Sequence, residues 1–190
     1  MLDLERAFCD RFGARFAVSV NSATSGLHAA LIAVGVCPGD EVIVPPYTMS
    51  ASATAVLMCG GVPVFADIEQ DKYCISVHEV QRLISSKTKA IVAVNLFGLP
   101  ADLGGLTLLA KNHGIALIED NAQAPGAQYC GKWTGIVGDI GVFSLNRHKT
   151  MHCGEGGVVR ERTATTPTTG MRVIDAGART LSRPCCSRTC

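Results

Sequence analysis

The stretch "AIVAVNLFGLPADLGGLTLLAKNHGIALIED", Ala90 to Asp120, sets the fold class. It opens on a short, nearly all-apolar run, "AIVAVN" (90–95), passes through a helix-like segment at Leu103–His113, and closes on a second apolar run, "IALIED" (115–120). Short runs of this kind suit strands buried on both faces. The segment between them supplies the crossover that two parallel strands require. The alternation continues outward in both directions. Upstream, "FAVSV" (16–20) precedes a helical pattern from Thr24 to Val34, and "EVIVP" (41–45) precedes another from Met49 to Cys59. "PVFAD" (63–67) leads through a polar turn to Val77–Ile84, and "GDIGVFSL" (138–145) and "GGVVR" (156–160) follow downstream. The repetition predicts an α/β fold of three layers, a mostly parallel sheet flanked by helices.

Bulk properties narrow the function. The 190 residues are 47% hydrophobic and 17% charged, with a net charge of +1. That length holds one domain with a sizeable core. The near-neutral balance gives no reason to expect a nucleic-acid or membrane-surface partner. The opening "MLDLERAFCDRF" mixes charged and apolar residues, unlike a signal peptide. The longest low-charge stretch, Val42 to Val64, is interrupted by Pro45, Pro46, Gly60, Gly61 and Pro63, which argues against a membrane span. Of nine cysteines, Cys9, Cys37, Cys59, Cys74, Cys130 and Cys153 are scattered singly. The odd total and the lack of a CxxC pair point to a reducing cytosol, with these six as buried or half-buried thiols.

Residues 161–190, "ERTATTPTTGMRVIDAGARTLSRPCCSRTC", differ in character. They carry five Arg, two acidic residues and no Lys, whereas all six lysines precede them. Apart from a short strand-like run at Met171–Ile174 there is little periodicity, so the segment reads as poorly ordered or as foreign to residues 1–160. Cys185, Cys186 and Cys190 lack a second ligand pair at zinc-site spacing.

Ligands of open α/β sheets gather beyond the carboxyl ends of the strands. Four loops meet that description. "NSATSGLHAAL" places Asn21, Ser22, Thr24, Ser25 and Gly26 at a helix start, where free N–H groups attract an anion or where Ser22 or Thr24 merely caps the helix. In "PYTMSAS", Tyr47 or Met49 could lie against a flat ligand or simply pack the loop. In "ALIEDNAQAPGA", Glu119 and Asp120 end a buried strand, an expensive place for unpaired carboxylates. Asp120 would face a helix N-terminus or a cationic group such as a pyridinium nitrogen, and Gln123 offers a donor and an acceptor beside it. "FSLNRHKTMHCGEGG" sets Lys149 between His148 and His152. The histidines have the spacing of a helical metal pair but no evident third ligand, and the lysine could instead form a Schiff base with an aldehyde cofactor. A nucleotide-binding module is disfavoured, because GxGxxG is missing after the first strand.

Six blocks occur in order: "VNSATSGLHAAL", "GDEVIVPPYTMSASATAV", "GGVPVFADIE", "KTKAIVAVNLFGLPADL", "ALIEDNAQAPGA" and "GDIGVFSLNRHKTMHCGEGGVV". Together they resemble the DegT/DnrJ/EryC1/StrS family of pyridoxal-phosphate aminotransferases, over about Leu4 to Arg160. The resemblance implies the large domain of the fold-type-I aminotransferases and the cofactor pyridoxal 5′-phosphate. It implies amino transfer, with glutamate the expected donor, to a nucleotide-linked keto-sugar. Lys149 matches the lysine that joins the cofactor and moves the proton. Asp120 matches the acid that keeps the pyridine nitrogen protonated, and Gln123 the residue near the 3-hydroxyl. Ala23 and Thr24 fall at the phosphate turn, and Ser144 matches a further phosphate contact. Met49 stands where many members place an aromatic ring. A lysine rather than a histidine at position 149 favours transamination over the family's dehydratase variants.

The resemblance also sets expectations about what this chain lacks. Members carry a smaller C-terminal domain and usually a preceding N-terminal segment, whereas here the chain starts almost directly in the "LERAF" helix. The small domain is expected to be missing. The composition break at residue 161 suggests a shifted frame, an alternative transcript or a truncated gene. Members are homodimers that share site residues across the interface, and a shortened chain puts that dimer in doubt. Weak or absent turnover is expected even with cofactor bound. The alternative is a catalytically inactive remnant that keeps the large-domain fold and its cofactor or dimer contacts.

Overall fold

The computed structural model describes residues 2–161. Nine strands and five helices occur among them: α1 (Leu2–Phe12), β1 (Phe16–Val20), α2 (Ala23–Ala33), β2 (Glu41–Val44), α3 (Ala51–Met58), β3 (Val62–Phe65), α4 (Val77–Leu83), β4 (Thr88–Val94), α5 (Leu103–His113), β5 (Ala116–Asp120), β6 (Gln128–Tyr129), β7 (Lys132–Trp133), β8 (Ile140–Ser144) and β9 (Gly157–Glu161). Every expected strand and helix of residues 16–160 is present, with ends shifted by a residue or two. The strand-like run at Met171–Ile174, Cys185, Cys186 and Cys190, and the tail beyond Glu161 lie outside the described residues.

Seven strands form one sheet in the order β1-β9-β8-β5-β4-β2-β3. β2 pairs in parallel with β3 and β4, β4 with β5, and β5 with β8. β9 is antiparallel to both its neighbours, β8 and β1. The reason is local. Residues 145–156 contain no helix, so the chain leaving β8 has no crossover and must fold back. The second sheet is a small hairpin, β6–β7, which the sequence pattern does not reveal because two-residue strands have no period to read. Its turn places Cys130 and Gly131 at φ of 48° and 75°, the left-handed pair of a type I′ hairpin turn.

Helices cover both faces. On one, α2 lies so close that a Cβ at Gly26 would meet Val142 Cγ1 at 2.9 Å and Val159 Cγ2 at 3.0 Å. On the other, Phe8 and Phe12, one turn apart on α1, pack against Phe143 of β8 with ring centroids 5.1 and 5.3 Å away. α5 starts on Asp102, whose carboxylate accepts the Gly105 N–H at 3.1 Å, and stops at Gly114, whose φ of 65° caps the helix left-handed. The free cysteines depart from the expectation in part: Cys74 is buried and Cys9, Cys37 and Cys59 are half-buried, but Cys130 and Cys153 are exposed because both sit in turns. Among the described residues no helix is long and apolar enough to cross a membrane.

The register sets Glu119, Gly141 and Arg160 side by side on neighbouring strands. Glu119 is fully buried and Arg160 is 2% exposed. The Glu119 carboxylate accepts the N–H groups of Gly135, Val137 and Gly138 at 2.6, 2.7 and 2.7 Å, and the Asn95 side-chain amide at 3.0 Å. The Arg160 guanidinium donates to the carbonyls of Gly135 and Gly138. Segment 135–138 is thus held at its amides by an acid and at its carbonyls by a base. Gly141 makes room for it, because a Cβ there would overlap the Gly135 carbonyl oxygen.

Two substitutions test this clamp by urea unfolding at neutral pH. Gly141→Ala is expected to lower stability by about 2–4 kcal/mol through overpacking against backbone. Glu119→Gln is expected to lower it by about 2–4 kcal/mol, because an amide cannot satisfy four donors. A change below about 0.5 kcal/mol in either would show that the clamp does not hold the segment.

Candidate functional site

The parallel strands and β1 point the same way, so the loops after β1, β2, β4, β5 and β8 open on one edge of the sheet. Strand alternation turns Glu119 and Asp120 to opposite faces. Asp120, 5% exposed, lies in register with Val142 and Val94 and faces the α2–α3 side. One carboxylate oxygen accepts the Ala122 N–H at 3.1 Å, and the other accepts the Ser52 hydroxyl at 3.2 Å. Burial pushes the Asp120 carboxyl up. The Ala122 amide, the Ser52 hydroxyl and the positive charge of Lys149 act in the opposite direction.

Lys149 sits half-buried on the loop from β8 to β9. That loop is a pinned structure. Leu145 N–H donates to Gly156, Arg147 N–H to Gly154, Cys153 N–H to Leu145 and Lys149 N–H to Asn146, at 2.8–3.0 Å. Asn146 also donates to the Glu155 carboxylate at 2.8 Å and accepts the His148 N–H at 3.1 Å. The lysine is therefore carried on a fixed turn whose charge reaches Asp120. His148 and His152 are both exposed, and among the described residues no group of three or more His, Cys, Asp or Glu could hold a metal ion.

A second group forms at the start of α2. Ser22 caps the helix, its hydroxyl accepting the Ser25 N–H at 3.3 Å and its carbonyl the Gly26 N–H at 3.0 Å. Helix geometry gives the Ala23 and Thr24 amides no acceptor within the helix. Ser144, 6% exposed, pairs in register with Gly157. A Cβ on Gly157 would stand 3.0 Å from the Ala23 nitrogen and 2.8 Å from the Phe143 oxygen, so glycine there lets the helix start meet the β8–β9 root. The start of α2, with Ala23 and Thr24, thus lies beside the end of β8, with Ser144.

Met49 and Gln123 are on loops of the same edge but are placed less directly. Met49 is 62% exposed, and its carbonyl accepts the Ser52 N–H at 3.2 Å. Gln123 is half-buried and tied through its carbonyl to the Gly98 N–H at 3.1 Å. Sequence reasoning passed over Ser52, Thr48, Asn146, Glu155 and Gly157. Thr48 and Ser52 have the four-residue spacing of one helix face, and that spacing was the only available signal.

Comparison with known proteins follows this geometry. The chain is 45% identical over 159 residues to L-glutamine:2-deoxy-scyllo-inosose aminotransferase of Streptomyces fradiae, covering 84% of this chain and 38% of that protein. It superposes on Streptomyces venezuelae DesV in complex with a ketimine intermediate at a TM-score of 0.89 and 34% identity, covering 98% of this chain and 49% of DesV. On Escherichia coli GDP-4-keto-6-deoxy-D-mannose-3-dehydratase with bound hydrated pyridoxal phosphate the TM-score is 0.80 at 27% identity, covering 85% and 43%. The chain therefore spans two fifths to one half of the length of these proteins. The family pattern matches residues 1–173, past the composition break at residue 161. With that match over most of its length, the chain belongs to the DegT/DnrJ/EryC1/StrS aminotransferase family.

Proposed function

We propose that this chain is the cofactor-binding part of an aminotransferase that moves an amino group onto a nucleotide-linked keto-sugar with pyridoxal 5′-phosphate. One observation carries the reading. A buried carboxylate, Asp120, lies within reach of the charge of Lys149, on the same sheet edge as the start of α2 and Ser144. The residues fit the cofactor on two counts. Asp120 is a buried acid hydrogen-bonded to two neutral donors, and Gly157 lets the start of α2 pack against the β8–β9 root beside Ser144. Bound there, pyridoxal phosphate would supply an aldehyde carbon for amino-group exchange and a ring that takes up electrons.

The chain's own residues divide the remaining work. Lys149 would provide the nitrogen that attaches the cofactor and the base that carries a proton between substrate carbons. Asp120 would hold a proton on the ring nitrogen. The Ala23 and Thr24 amides and the Ser144 hydroxyl would bind the phosphate. Gln123 would serve the ring hydroxyl, and Met49 would offer its thioether to the ring. The expected donor is glutamate. The name of the S. fradiae relative states L-glutamine, so the two amino acids are assayed side by side. A cytosolic location agrees with six free cysteines among the described residues. A homodimer, as in the family, would complete the site.

Purified chain mixed with pyridoxal phosphate is expected to show a visible absorbance band that Lys149→Ala abolishes. Absence of the band in the parent would sink the reading. Asp120→Asn is expected to lower amino transfer at least about 100-fold while the chain stays folded by circular dichroism. The chain spans 38% of the S. fradiae aminotransferase, so the same preparation separates a second reading. A band without amino transfer to keto-sugars would identify a domain that binds cofactor without turnover.

A further inference from the structure

Ser52 is fully buried in the first turn of α3. A helical serine that satisfies only itself donates to the carbonyl one turn back, as the neighbouring Thr54 does to Ser50 at 2.8 Å. Ser52 does not. Its hydroxyl reaches across to β5 and donates to Asp120 at 3.2 Å, over 68 residues of sequence. One turn back, at 3.1 Å, stands the Thr48 hydroxyl rather than a carbonyl.

With Asp120 ionised, proton counting fixes the direction of this chain. A hydroxyl has one proton to give. Ser52 gives its proton to the carboxylate, so it must accept from Thr48. Both O–H dipoles then point inward at Asp120, and each strengthens the other in a low-dielectric setting. We infer that Thr48 and Ser52 form a hydroxyl relay that holds Asp120 as a fixed, ionised carboxylate for the cofactor's ring nitrogen, which makes Ser52 a positioning residue of the site.

This inference rests on the cofactor reading above, but its core concerns the acid alone. The groups that act on Asp120 are few. α3 contributes Ser52, the loop after β5 the Ala122 amide, and the β8–β9 loop the Lys149 charge. The register neighbours on β4 and β8, Val94 and Val142, are apolar. Burial favours the protonated acid, and a protonated acid cannot hold a further proton on a ring nitrogen. The relay opposes burial through a donor to the charged form.

The test uses the full chain without cofactor, labelled with 13C at the aspartate carboxyls and titrated by NMR, with Asp120→Asn identifying the signal. Ser52→Ala is expected to raise the Asp120 midpoint by about one pH unit, since one donor to the charged form is lost. Ser52→Thr keeps a hydroxyl and is expected to stay close to the parent. Thr48→Val, nearly isosteric, is expected to raise the midpoint by a smaller step. A midpoint in Ser52→Ala within about 0.2 unit of the parent, or below it, overturns the relay. Should Ser52→Ala fail to fold, Thr48→Val decides alone, and an unchanged midpoint there overturns it equally. Pyridoxal phosphate is then added to the parent. A missing visible band with an intact NMR shift defeats the cofactor reading, while the midpoints alone decide whether the relay acts on Asp120.

Discussion

The buried Glu119 carboxylate is the constraint on which the sheet edge depends. It is fully buried and receives four donors, three of them backbone amides of one short segment. Unmet, each of those amides would cost free energy, and so would the acid. Met together, they fix the segment between β7 and β8 against the sheet, with Arg160 taking its carbonyls. The clamp sets where β8 begins. β8 in turn sets where Ser144 ends and where the loop bearing Lys149 starts.

The next residue in the chain has the opposite fate. Glu119 and Asp120 are adjacent carboxylates, and one step along a strand sends them to different faces. Glu119 meets a ring of donors within the protein. Asp120 has two neutral donors and a more distant lysine charge, and burial pushes its carboxyl up. The first acid is saturated, whereas the second retains capacity for a cationic ligand group. The two acids are separated by a single peptide unit, and the difference between them is one of partners rather than residue type.

Much of this was legible beforehand. Apolar runs of strand length separated by helix-like segments made the α/β class readable, and Ala90–Asp120 alone contains one complete strand–helix–strand unit. The ordered loops pointed to a family that the comparisons support. The β6–β7 hairpin was not legible, because two residues give no periodicity. The partners of Glu119 were also hidden. They lie on a loop whose amides carry no sequence signal, and only the missing side chain of Gly141 hints at the close approach. Ser52 was not legible either, since nothing in "TMSASATAV" says which hydroxyl faces a strand 68 residues away.

The sequence by itself determined the layered α/β class, the strand ends where ligands gather, and the residue types offered there: an acid, a lysine, and a capped helix start. Local pattern suffices for these, because burial on one or both faces writes its period directly into the chain. Tertiary structure alone decided the strand order, the antiparallel return of β9, and which of two neighbouring acids is saturated. It also decided that the Ser52 hydroxyl meets Asp120 with Thr48 behind it, and that glycine at 157 lets the start of α2 lie beside β8 and β9. Those outcomes depend on distances between residues far apart in sequence. Hydrogen bonds and van der Waals contacts act only over a few ångströms, so no linear pattern encodes them until the sheet is assembled.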